Sequence, residues 1–91
     1  MMHVPESCPM SNNDVHEKFK KTFIKREDIA KKHRTKILSA VASVMDHHIF
    51  YVIKSDSQMN VEEYLKEIGY VFWNTIEIKQ VRFFEDVIKN L

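Results

Sequence analysis

The chain has 91 residues, of which 44% are apolar and 30% charged, with one Trp, three Tyr, six Phe and a net charge of +1. That is too much apolar surface for a disordered polypeptide and too much charge for a membrane protein, and the length allows one domain whose core is marginal on its own. Cys8 is the only cysteine, so an internal disulfide is excluded and an intracellular setting, cytoplasmic or nuclear, is expected.

Residues 1–12 are polar, contain both prolines and lack periodicity, which predicts a flexible N-terminal tail. No basic region precedes an apolar run, and Pro5, Glu6 and Pro9 interrupt any signal helix, so no targeting or membrane-spanning segment is expected. Residues 13–91 then form a single helical domain. Asp14 and Glu17 have the spacing of a capping box, placing a helix start near Asp14. Val15, Phe19, Phe23, Arg26, Ala30, His33, Ile37, Val41, Val44, His48 and Val52 follow at intervals of three or four, a stripe that predicts one long helix to about Ile53. The competing reading takes "HIFYVIK" as a strand, because its residues are β-branched or aromatic. The lack of Gly or Pro in the preceding "ILSAVASVMD" favours the helix.

Residues 54–60, "KSDSQMN", are turn-forming, and Asn60 with Glu63 repeats the capping spacing. A second helix is expected from Val61, with Val61, Leu65, Ile68, Phe72, Ile76, Phe83, Val87 and Leu91 along its seam. Asn74 and Glu77 allow a kink after Trp73, and "TIEIK" alternates as a strand would. The fold expected is mainly α: an antiparallel helical hairpin or small helical bundle, completed by a second chain. The alternative is a small α+β domain with strands near 48–53 and 70–81.

On the second helix a further apolar stripe, Tyr70, Trp73, Val81, Phe84 and Ile88, points away from the seam, and one neighbouring helix cannot cover two opposite faces. Together with Phe19, which overhangs the shorter partner helix, these residues form the expected partner-binding surface. The function they imply is that of an adaptor, regulator or assembly subunit, with a protein partner in a homodimer or small hetero-complex. A different class of function rests on charge. Residues 17–36 carry nine Lys or Arg against three acids, whereas residues 55–91 carry four against seven. Lys18, Lys21, Lys25, Lys32 and Lys36 form a basic face suited to a nucleic-acid backbone. Against that, Glu17 with Lys21, Glu27 with Lys31 and Asp28 with Lys32 are acid-first pairs four apart, which support an exposed helix.

Signs of chemistry are sparse. His47 and His48 are adjacent and diverge by about 100° on a helix, so they make a poor metal pair. His3, Cys8 and His16 would join them only through the tail, and neither CxxC nor HExxH occurs. Ser39, Ser43, Ser55 and Ser57 lack an elbow motif, and Gly69 alone cannot cradle a phosphate. Neither a cofactor, a metal nor a catalytic activity is expected.

Overall fold

Asn12, two residues ahead of the expected start, caps the first helix: its side-chain oxygen accepts the Val15 N–H at 3.1 Å. The structure, a computed structural model, describes residues 1–89. Helix α1 (Asn13–Phe23) is followed after two residues by α2 (Arg26–Lys32), whose buried residues are Ile29 and Ala30. There the helical path stops. Arg34 adopts φ 54, a left-handed conformation that ends a helix as glycine usually does.

The chain then runs out as β1 (Thr35–Ser43), reverses over residues 44–47 and returns as β2 (His48–Ser55) in a two-stranded antiparallel sheet. This overturns the expected single helix to Ile53 and with it the mainly helical hairpin; the molecule is α+β, as in the alternative reading. The physical reason lies in two residues other than glycine. His47, like Arg34, has a positive φ, of 55, and histidine is among the residues that enter this region most readily. The reversal is closed by the His47 N–H donating to the Val44 carbonyl at 3.3 Å and by the Ser43 hydroxyl donating to Asp46 Oδ2 at 2.9 Å. With that turn in place, a period of two wins: Ile49, Tyr51 and Ile53 pack toward the core while Phe50, Val52 and Lys54 are exposed. The ladder shifts register once, between Ile37 and Ser39, leaving Leu38 as a bulge.

Ser57 caps α3 (Gln58–Ile68) by accepting the Asn60 N–H at 3.2 Å, so the second helix begins three residues before its expected start at Val61. It also ends early. Gly69 takes φ 98 and its N–H reaches the Lys66 carbonyl, the left-handed stop that only glycine adopts without strain. A 3-10 turn (Tyr70–Phe72) and an extended segment follow, then a short α4 (Phe84–Lys89). Leu91, the end of the expected seam, lies outside the described residues.

The core gathers Ile29 and Ala30 of α2, Tyr64, Leu65 and Ile68 of α3, and Tyr70 and Trp73 beyond it. The sheet contributes Ile37, Ile49, Tyr51 and Ile53, and α1 contributes Val15 and Phe19. The first residues, expected as a tail, are hydrogen-bonded to this body. The Ile49 N–H donates to the Met1 carbonyl at 2.8 Å and the His3 N–H to the His47 carbonyl at 3.2 Å, while Met2 exchanges both backbone bonds with Thr75. Pro5–Ser7 form a 3-10 turn that leads into the buried Cys8.

Candidate functional site

The expected partner-binding residues divide into two groups. Tyr70 and Trp73 belong to the core, with 3% and 9% of their surface exposed. Phe19 is half-buried with them, its ring 4.9 Å from that of Tyr70 and 5.2 Å from that of Trp73. Gly69 accounts for this: ending α3 there turns the following aromatics inward instead of letting them continue outward along a helix. Val81, Phe84 and Ile88 are, by contrast, 74%, 75% and 49% exposed, and Phe83 beside them is exposed as well. These residues lie in an arm, the extended segment plus α4, with acidic Glu85 and Asp86 in the first turn of the helix.

The hairpin creates a second apolar surface, which a helix over residues 35–53 would not present. Val41 and Phe50 are cross-strand neighbours on the outer face of the sheet, flanked by Val52, and all three are exposed. At the end of the same face Lys36 stands opposite Lys54, a juxtaposition of like charges that is unfavourable without an acidic neighbour. The signal was the alternation of exposed and inward residues in "HIFYVIK".

The five lysines of the basic face are all exposed, but they do not share one helix. Lys18 and Lys21 lie on α1, Lys25 between the helices, Lys32 on α2 and Lys36 on β1. Lys32 Nζ is 2.7 Å from Glu67 Oε1, which also meets His33 Nε2 at 3.0 Å. The hydrogen bond from Lys32, followed by that of His33, holds the Glu67 carboxyl below the usual range. The row expected to track phosphates is therefore broken in direction and partly neutralised.

Inside the molecule the three tyrosines form one cluster. Tyr51 and Tyr70 share a hydrogen bond through their hydroxyls, and their rings meet edge to face with centroids 5.3 Å apart. Burial pushes the Tyr70 hydroxyl up to about 12 and raises those of Tyr51 and Tyr64 as well. At neutral pH these are uncharged packing groups.

At the other end of the sheet, three groups distant in sequence come together: one ligand atom each from His3, Cys8 and His47, all within 4.8 Å of one another. His3 is placed by the backbone bonds of the first strand-like residues, Cys8 by the 3-10 turn and His47 by its left-handed position in the hairpin. Cys8 is buried and both histidines are partly so. The side chains of His3 and Asn74 meet at 2.9 Å between Nδ1 and Oδ1, and the Asn74 Nδ2 donates to the Tyr70 carbonyl. The Trp73 ring packs against His3 with centroids 4.9 Å apart. His48, which the sequence pairs with His47, is outside this cluster, as is His16 on α1. In the sequence the three stand apart, because His47 pairs poorly with the adjacent His48 and residues 1–12 have the composition of a flexible tail.

Among the described residues no helix is long and apolar enough to cross a membrane. Comparison with protein-family models, curated proteins and solved structures yields no match.

Proposed function

We propose that the chain is a protein-association module, an intracellular adaptor, regulator or assembly subunit, whose first partner is a second copy of itself. In this reading the arm of each copy lies over the outer sheet face of the other. The exposure of Phe84, with Val81 and Phe83 beside it, carries the reading, because a lone small chain gains nothing from holding such residues in water. Composition supports the choice of occupant. The first turn of α4 is apolar and acidic, with Phe84, Glu85 and Asp86, and the sheet face is apolar and basic, with Phe50, Val41 and the Lys36 and Lys54 pair. One chain thus carries both halves of a self-complementary contact, which two-fold symmetry uses twice. No catalytic role is assigned.

Light scattering and sedimentation equilibrium of the purified chain test this directly. A dimer is expected, with Phe84→Ala and Phe50→Ala each shifting it toward monomer by more than tenfold in dissociation constant, the effect of losing an anchor worth ~2 kcal/mol. A wild-type monomer at tens of micromolar (on the order of a weak transient contact) would defeat the self-association. If that monomer bound a DNA or RNA oligonucleotide with an affinity collapsing between low and moderate salt, the lysines would become the functional surface instead.

A further inference from the structure

We propose that His3, Cys8 and His47 form a binding site for a thiophilic divalent cation of the zinc type, independent of any protein partner. The chemistry of the set comes first. One thiolate and two imidazoles with no carboxylate suit Zn²⁺, or Co²⁺ as its spectroscopic substitute, and not Mg²⁺ or Ca²⁺, which require oxygen ligands.

The hydrogen bonding around His3 selects a tautomer. Because the Asn74 Nδ2 donates to the Tyr70 carbonyl at 3.2 Å, its Oδ1 faces His3 as an acceptor, 2.9 Å from Nδ1. The proton of neutral His3 therefore sits on Nδ1, and the Nε2 lone pair points to the other side of the ring. This is the arrangement by which an outer hydrogen bond orients a metal-ligating imidazole. His3 Nε2 lies 3.4 Å from His47 Nδ1.

Distances agree with a shared cation better than with a direct bond. A tetrahedral Zn²⁺ with nitrogen at about 2.0 Å and sulfur at about 2.3 Å separates two nitrogens by roughly 3.3 Å and nitrogen from sulfur by roughly 3.5 Å. The two ring nitrogens already stand at the first of these separations. They are too far apart for a good N–H···N hydrogen bond. The three ligand atoms lie within 4.8 Å of one another, so the sulfur needs to close by about 1.3 Å at most to reach the tetrahedral edge. Binding requires Cys8 to release its proton and His47 to carry its own on Nε2, leaving a fourth position for a solvent or partner ligand.

The ion would join the first eight residues to the hairpin turn, reinforcing the backbone hydrogen bonds that already link them. Its effect would be to stabilise a chain too short to depend on its core alone.

The test is titration of the reduced full-length chain with Co²⁺, followed by displacement with Zn²⁺. A thiolate-to-cobalt absorption band with one-to-one stoichiometry is expected, together with a rise in melting temperature on adding Zn²⁺. Cys8→Ser should abolish the band. His47→Asn, which keeps a residue tolerant of the left-handed turn, should remove both the band and the thermal shift while leaving the circular dichroism spectrum unchanged. Asn74→Ala should weaken Zn²⁺ by about 10- to 100-fold by freeing the His3 tautomer, whereas His16→Ala should change nothing. Absence of the band in the wild-type chain overturns the proposal without recourse to any variant, and so does a band that survives His47→Asn.

Discussion

Single residues in unusual backbone conformations decide the course of this chain. Arg34, His47 and Gly69 have positive φ, and each stands where an element ends or reverses. Gly69 is the one with no side chain to accommodate, and a methyl group there would meet Thr22 Oγ1 only at 3.9 Å. The cost of Gly69→Ala is therefore one of backbone conformation: it is expected to destabilise the fold by about 1 kcal/mol or more, read as a lower denaturant midpoint with an unchanged slope. The tyrosine cluster gives a second measurement at this scale. Below the ordinary tyrosine value of 10.0 the hydroxyl of Tyr70 is protonated in both folded and unfolded chains; above it the unfolded chain loses its proton first, because burial raises the folded value to about 12. Stability should thus be complete below pH 10 and fall as pH rises through about 12. Tyrosinate absorbance is expected to appear together with loss of the circular dichroism signal, since all three tyrosines are in the cluster. A folded protein showing normal tyrosine ionisation at pH 10 would contradict the burial.

The elements show why part of the fold was legible and part was not. The first helix was recognisable because a capping residue precedes an amphipathic run, although Asn12 rather than Asp14 supplies the cap. The second was recognisable for the same reason, with Ser57 as the cap, and its seam of Val61, Leu65 and Ile68 does point inward. Ser57→Ala is expected to cost about 1 kcal/mol by leaving an N–H of α3 without its partner, a loss visible as faster amide exchange in the first turn. Residues 35–53 depart from the expected helix because their apolar positions satisfy a period of 3.6 and a period of two at once, and the turn chemistry sought was Gly or Pro. Asp46 and His47 provided it instead. The Cys8 cluster was concealed because residues 1–12 have the composition of a tail, whereas backbone pairing and a left-handed histidine bring its members together. Phe84, Val81 and Ile88 were legible as exposed apolar residues, but Tyr70 and Trp73 were not legible as core, since their direction depends on the helix having stopped one residue earlier.

As a whole, the molecule is a thin body, 49 × 29 × 17 Å, in which α3 covers one face of a two-stranded sheet. So narrow a sheet is marginal without something against its other face, and in the proposed dimer the arm of the second copy would provide that cover. The bulge at Leu38 bears on what else the sheet can do. β1 has β2 on only one side among the described strands, and the extra residue interrupts the row of backbone groups along its free edge. Removing Leu38 would make that edge a continuous template while preserving which residues face inward. The deletion variant is expected to retain its native spectrum yet form dye-binding fibrils sooner than the wild type, with light scattering rising after a shorter lag. An apparent irregularity in the ladder would then serve as a guard against endless sheet growth.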